Sequence, residues 1–311
     1  EEVIKKMLIE SQGDSFETLT SKNQTLHFDT LNSIFDRHNI KLDENKLKSL
    51  NIVNLNGQYT NLGLLLSDEC PYTVKCAIYN GNNKLEFKDR KEFKGSVLKQ
   101  VNDVFEYLEL FNKTKGKIVG LERIDTKDYP EYALRESLLN AIIHRDYNYN
   151  GSILISLYDD HFEITSLGGI VKGLSLKDLY LGVSESRNPN LANIFYRLKY
   201  VESFGTGIGR IIESYSNYQK KPVFVDTDNA FNVTLYNVNY TENNEKSLPS
   251  NLTQEEKIIE YLKKNSKINR NIVERLLDIS STRAKVILNN MCKNDLIHME
   301  GSGKNTFYVL K

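Results

Sequence analysis

Three polar side chains, Glu136, Asn140 and His144, recur every fourth residue within YALRESLLNAIIHRD, the stretch from Tyr132 to Asp146. At i, i+4 and i+8 they stack one above another on one side of a helix. Leu134, Leu138, Ala141 and Ile142 make a core-facing stripe at the 3.6-residue period, and Leu139 and Ile143 flank the polar groups. The polar side therefore faces apolar surroundings, where such groups need partners. A carboxylate and a carboxamide one turn apart could hold a metal-bound phosphate and a water, the carboxylate acting as base and the amide oxygen as ligand to a hard metal. Residues of these types also cap, pair or face water.

The elements that would position this helix can be read from pattern. Upstream, Asp29 to Arg37 and Asp43 to Leu50 read as short helices opening on Asp N-caps. Thr73–Tyr79 and Lys84–Phe87 alternate around Asn80–Asn83 as a hairpin, Gly95–Phe111 keeps a helical period, and Lys117–Ile124 reads as a strand leading to Pro130. Downstream, Ser152–Tyr158 and Phe162–Ser166 form a second hairpin that runs into Gly168-Gly169, where backbone can come close to a ligand. Residues 170 to 204, with Asp178 and Arg187-Asn188-Pro189, have the character of a lid. Gly205-Thr206-Gly207-Ile208-Gly209 then opens a helix continuing through Tyr215, and a glycine-rich helix start offers amides and a positive dipole to phosphate. Phe231, Val233 and Leu235 alternate as a last strand before hydrophobicity collapses between Asn237 and Asn251.

From Thr253 onward the order is three helices, with a Thr253/Glu256 capping box, and then a hairpin around Gly301-Ser302-Gly303-Lys304-Asn305. That is the winged-helix order. The segment holds 11 Lys and Arg against 7 Asp and Glu, whereas the 311-residue chain has net charge +0. A uniformly basic nucleic-acid binder is thus excluded, and DNA contact belongs to a local patch. Ser281, Thr282, Arg283, Lys285 and Asn289 lie along the third helix, where a recognition helix touches bases and phosphates, and Lys304 at the hairpin tip.

Apolar residues at 40% and charged residues at 26% describe an ordinary globular protein. Cys70, Cys76 and Cys292 form no C-x-x-C pair or zinc spacing, which points to a reducing, cytoplasmic setting. No run approaches the roughly 20 apolar residues of a membrane span. Two motifs mislead. His144-Arg145-Asp146 lacks the rest of a kinase set, and Gly301-Ser302-Gly303-Lys304 joins two strands with no helix after it.

Taken in order, Glu136/Asn140/His144, Gly168-Gly169, the lid and Gly205-Thr206-Gly207-Ile208-Gly209 resemble the GHKL class of ATP-binding folds, which includes gyrase, histidine kinases and mismatch-repair ATPases. More closely, ALRESLLNAIIHRDYNYNGSILISLYDDHFEITSLGGI, SRNPNLA and VESFGTGIGRIIE look like the GHKL-type domain of bacterial transcriptional regulators labelled helicase-RecG-like. There the domain commonly follows a Schlafen-type AlbA domain and precedes a winged helix.

The resemblance implies an α+β protein. Residues 1–12 would be the tail of an AlbA-type domain, 13–125 a mixed α/β connecting region, 126–238 a GHKL (Bergerat-type) α/β sandwich, 239–252 a linker and 253–311 a winged helix. It casts Glu136 as the water-activating base, Asn140 as magnesium ligand and nucleotide contact, and Gly205, Thr206, Gly207 and Gly209 as the phosphate loop. His144, Ser166, Gly168, Gly169 and Arg187 would complete the nucleotide site. Active members carry an Asp before the glycine pair to bond the adenine amino group, where this chain has Ser166 and Leu167. A charge-assisted bond of roughly 1.5–3 kcal/mol is thereby absent.

The expectation is a DNA-binding transcriptional regulator with a degenerate nucleotide module, able to dimerise by analogy. The alternatives are a magnesium-dependent ATPase using ATP and Mg, and an assembly scaffold in which Glu136 and Asn140 hold strand ends.

Overall fold

The computed structural model describes residues 15–202, 205–241, 253–277, 279–301 and 306–311, apart from the side chains at 264 and 275. The chain divides into two compact units after Tyr240. The expectations for residues 1–12 and for Lys304 lie outside the described residues.

The first unit starts with a 3-10 turn at Phe16–Thr18 and helices α1 (Asp29–Arg37), α2 (Glu44–Ser49) and α3 (Asn61–Leu66). Asp43 caps α2, its side chain accepting from the Lys46 amide at 2.8 Å. The cap of α1 comes from elsewhere. Asp29 is its first helical residue, and its amide donates to the Asp68 carboxylate at 2.8 Å, so a distant loop supplies what a local Asp was expected to supply.

Strands β1 (Val74–Tyr79) and β2 (Phe87–Phe93) follow, then α4 (Val97–Phe111), β3 (Thr114–Val119), β4 (Glu122–Lys127) and α5 (Glu131–Ile143). The hairpin partner of β1 is thus 87–93 rather than 84–87. FKDRKEF has no apolar alternation because it is an exposed edge strand with only Phe93 buried. The single strand expected over 117–124 is in fact part of a separate two-stranded hairpin turning at Gly120, and all of β3 is exposed.

After α5 come β5 (Ile153–Leu157), β6 (His161–Leu167), α6 (Leu176–Tyr180), α7 (Pro189–Arg197), α8 (Gly207–Ser214), β7 (Val223–Thr227) and β8 (Ala230–Tyr236). The lid is therefore not continuous loop. Pro189 at the first helical position starts α7, whose Leu191, Ile194 and Phe195 are buried at i, i+3, i+4 spacing. Strand β7 escaped the sequence pattern because VFVDT at the sheet edge buries only Phe224.

Six strands form one mixed sheet in the order β2-β1-β5-β6-β8-β7, with β1 and β5 parallel and the other pairs antiparallel. Helices α4 and α5 pack on it, and α8 packs on α5. Side chains alternate strictly along β6, where Phe162, Ile164 and Ser166 are buried. Ser166 is the one polar member of that inward series. Among the described residues no helix is long and apolar enough to cross a membrane.

The second unit contains α9 (Gln254–Lys264), α10 (Arg270–Leu277), α11 (Ser281–Lys293), β9 (Ile297–Glu300) and β10 (Phe307–Leu310). Its core gathers Ile258, Leu262, Val273, Ala284, Leu288 and Met291. The Thr253/Glu256 capping box is present, and Ile268 exchanges both backbone hydrogen bonds with Tyr308 at 2.9 and 2.7 Å.

One buried carboxylate ties the start of the first unit to α7. Glu17 is fully buried and accepts the amides of Asn190 (2.6 Å) and Leu191 (2.9 Å) at the helix N-terminus. Burial pushes its carboxyl above the ordinary value, and the two amides pull it back. Glu17→Ala orphans both donors and should lower the unfolding free energy by about 1–3 kcal/mol in urea titrations. Glu17→Gln, which keeps an acceptor oxygen, should cost less.

Candidate nucleotide-binding site

Helix α5 is buried almost all round, with Ala133, Leu134, Leu138, Leu139, Ile142 and Ile143 in the core. Its polar stripe is answered by α8. A Cβ placed on Gly207 would sit 3.0 Å from Asn140 Nδ2 and 3.1 Å from Glu136 Oε2, so a side chain there would make those two groups shift. Glu136, only 6% exposed, accepts a hydrogen bond from Arg135 Nη1 at 2.9 Å on its other oxygen. Burial raises its carboxyl above the usual value, with Arg135 and then Arg210 opposing. The Arg135 guanidinium is itself anchored on the Tyr200 carbonyl, and Arg210 pairs with Glu202.

The Asn140 carboxamide bonds to no group among the described residues. Structural asparagines elsewhere in the chain behave differently. Asn188 donates to the Ile143 and Arg145 carbonyls at 2.7 and 2.8 Å, and Asn112 bonds Glu109 and both backbone polar groups of Tyr129.

Glu136, Asn140 and His144 open into a cavity of about 540 Å³, within the usual range for small-molecule sites. Ser166, Gly168, Gly169, Gly205, Thr206 and Gly207 also line it, so most of the residues singled out by sequence converge on one space. Arg187 and Gly209 do not line it. The Arg187 guanidinium is committed to the protein, donating to the His144 carbonyl at 3.2 Å and the Gly169 carbonyl at 2.7 Å and pairing with Asp146 at 3.5 Å. A Cβ on Gly209 would meet nothing, so that position is open.

The glycine pair has a local reason. Gly168 has φ +92° and a Cβ there would lie 2.7 Å from Asp146 Cβ, while one on Gly169 would lie 2.0 Å from the Thr227 carbonyl. Gly207 thus meets the helix itself, at Glu136 and Asn140, whereas Gly168 meets Asp146, beyond the end of α5. Val183, Ser184 and Ser186 of the lid stretch also line the cavity. A Cβ on Gly205 (φ +64°) would lie 2.4 Å from the Gly182 carbonyl, which pins the lid turn to the glycine loop.

His144 caps α5, donating its amide to the Asn140 carbonyl at 2.9 Å. Burial, followed by the Arg187 charge, pushes its imidazole down to about 4. It is therefore neutral at physiological pH and presents a donor and an acceptor without charge. Sequence reasoning missed Arg135, Ser137 and Arg210. Ser137 had a signal: it is the polar break in the apolar row Ala133, Ser137, Ala141. In the second unit, Ser281, Thr282, Arg283, Lys285 and Asn289 all lie on the exposed side of α11, opposite buried Ala284, Ile287, Leu288 and Met291.

Residues 150–235 match the protein family described as "Putative ATP-dependent DNA helicase recG C-terminal". This part of the chain is ATPase-like. The match begins after α5, so Glu136, Asn140 and His144 join the site through packing rather than through the matched segment. Among solved structures, the chain is similar to the DIP2311 protein from Corynebacterium diphtheriae, at TM-score 0.63 and 18% identity over 98% of this chain. It spans 66% of that chain's length, and the likeness is one of fold. No curated protein matches.

The depressed imidazole has a consequence for stability. The His144 value in the fold lies below the unfolded value, so its contribution is present above about pH 6.5 and is lost as pH falls toward 4. His144→Gln escapes that loss. The difference in unfolding free energy between variant and wild type should therefore move in the variant's favour by about 2 kcal/mol between pH 7 and pH 4.5, as read by urea unfolding at each pH.

Proposed function

We propose that residues 15–240 form a module that binds a magnesium nucleoside triphosphate, and that the second unit binds DNA. On this reading the protein is a nucleotide-responsive DNA-binding regulator. One observation carries the nucleotide half: the unengaged Asn140 carboxamide and the Glu136 carboxylate meet the amide-bearing start of α8 inside a walled cavity. The first amides of a helix lack intrahelical acceptors and favour phosphate oxygens. The scaffold alternative is less well supported, since it requires Asn140 and Glu136 to bond strand ends, and Glu136 bonds Arg135 instead.

The donor set fits magnesium. That ion is held by one or two protein oxygens with phosphates and water rather than by an all-protein cage, and the described residues hold no cluster of three or more His, Cys, Asp or Glu groups. The Asn140 amide oxygen would hold it, and when bound it would neutralise phosphate charge. Glu136, with its carboxyl raised by burial, is suited to accept a proton from water. Arg135 restrains it in place.

The DNA half is supported by the order α9, α10, α11, β9, β10, which is that of a winged helix, and by the polar, basic exposed side of α11.

Magnesium ATP at millimolar concentration should raise the melting temperature of the full chain by several degrees, and Asn140→Ala should abolish the rise. No shift with any nucleotide would sink the nucleotide half. Where hydrolysis is detected, Glu136→Gln should remove it and retain binding. Replacing Arg283 and Lys285 together by Ala should weaken DNA binding and reduce the magnitude of the log–log salt slope by about 2; an unchanged slope would remove α11 from the interface.

A further inference from the structure

Between α4 and α5 the chain leaves the core as an arm. Strands β3 and β4 form a two-stranded sheet of their own, joined to no strand of the six-stranded sheet. A lone hairpin is at best marginally stable in water, and a third strand or a packing partner is needed to make it secure. Its apolar residues have no cover among the described residues: Ile118, Val119, Leu121 and Ile124 are all exposed, Leu121 completely. Its base is nonetheless tied down. The Asp128 amide donates to the Lys113 carbonyl at 2.8 Å, Asn239 donates to the Thr126 carbonyl at 2.8 Å and to Asp128 Oδ1 at 3.0 Å, and Lys127 pairs with Glu109 and Glu131.

The register decides what the outer edge of β4 offers. Val119 faces Glu122 across the two-residue turn Gly120-Leu121, and Lys117 faces Ile124. Hydrogen-bonded and non-hydrogen-bonded pairs alternate along an antiparallel ladder. Counting from the Asp128 bond to Lys113, Ile124 and Thr126 turn their N–H and C=O groups toward β3, while Arg123, Asp125 and Lys127 turn theirs outward, where no hydrogen bond meets them among the described residues.

The side chains along that edge are self-complementary. About a twofold axis through Ile124, antiparallel pairing of β4 with β4 of a second copy sets Arg123 opposite the second copy's Asp125, and the reverse. Each outward residue then meets an outward residue, so these pairs exchange main-chain hydrogen bonds. Ile124 meets its own copy at a non-hydrogen-bonded position, where Cα atoms lie about 4.5 Å apart and side chains are closest. An axis through Arg123 or Asp125 would instead set like charges opposite each other. Within one strand Arg123 already bonds Asp125 at 2.7 Å. The twofold merges two such pairs into one network of alternating sign, which holds better than an isolated exposed pair. The β3 edge has no such pattern, since its charges are Lys115 and Lys117 alone.

We propose that the outer edge of β4 is an interface between two copies of this chain, which join their arms into one four-stranded sheet. The occupant is a second copy rather than an anionic polymer, because Arg123 and Asp125 alternate in sign and Lys127 is committed to Glu109 and Glu131. Isologous pairing closes on itself, so the assembly stops at the dimer. A contact of this size belongs with weak, reversible associations.

Sedimentation velocity of the full chain, from micromolar to several hundred micromolar, should show a reversible monomer–dimer equilibrium. Arg123→Asp and Asp125→Arg, each alone, set like charges opposite each other and should raise the dimer dissociation constant by about tenfold or more. The double variant Arg123→Asp/Asp125→Arg restores opposite signs and should return the constant to within about threefold of wild type. An equimolar mixture of the two single variants should dimerise as well, since each supplies the sign the other lacks. Recovery in the double variant and in the mixture separates lost pairing from lost folding. A chain that stays monomeric throughout, a dimer indifferent to the charge reversals, or assemblies larger than a dimer would each overturn the proposal.

Discussion

The approach of α8 to α5 at Gly207 is the constraint on which the first unit depends. A helix buried on nearly every side cannot carry a carboxylate, a carboxamide and an imidazole unless something other than core faces them. Here a backbone without a Cβ lies within reach of Glu136 and Asn140, and the space left beside it becomes the cavity. A Cβ at 207 would press on the ends of the Asn140 and Glu136 side chains at 3.0 and 3.1 Å and make them give way. The same close approach brings the helix start, with its unpaired amides and positive end, beside a carboxylate that burial has already made reluctant to ionise.

The far end of α5 is held just as firmly by different means. Asn188 ties the Ile143 and Arg145 carbonyls to the start of α7, Arg187 ties His144 to the glycine pair, and the Asp146 amide donates to the Leu167 carbonyl at 2.8 Å. These bonds satisfy the carbonyls that a helix end leaves open. They also fix the mouth of the cavity relative to its floor. Since Glu17 holds the N-terminus of α7, the start of the described chain is mechanically continuous with a cavity wall. Arg187, expected from sequence at the nucleotide site, spends its guanidinium on the His144 and Gly169 carbonyls and the Asp146 carboxylate.

Much of this was legible in sequence wherever periodicity carried the information. Apolar spacing placed α4, α5 and α8 to within a few residues, α5 ending at Ile143 rather than Asp146 and α8 starting at Gly207 rather than Gly205, while the grouping of Glu136, Asn140 and the two glycine elements came from the family resemblance that their order carries. What escaped was set by tertiary contact. The cap of α1 comes from Asp68, β2 and β7 are edge strands without alternation, and α6 and α7 lie within the stretch read as a lid. Within that stretch Leu191, Ile194 and Phe195 carry the helical period of α7. Ser166 could be noticed as a departure from an Asp, but nothing local says that the Ser137 hydroxyl is sealed from water and unpaired.

The choice between a nucleotide site and a retired scaffold turns on what saturated polar residues look like in this same chain. Asn112 and Asn188 spend their amides on backbone groups within the core, which is the cheapest way to bury a carboxamide. Asn140, half-buried at the cavity, makes no such bond among the described residues. Glu136 takes one hydrogen bond from Arg135 and turns its second oxygen toward Gly207. A scaffold would gain stability by exchanging both residues for apolar ones of similar size, since burying a charge is unfavourable unless it is fully paired. The cost falls on the buried, half-paired Glu136 carboxylate, and a group that completes its bonds would offset that cost.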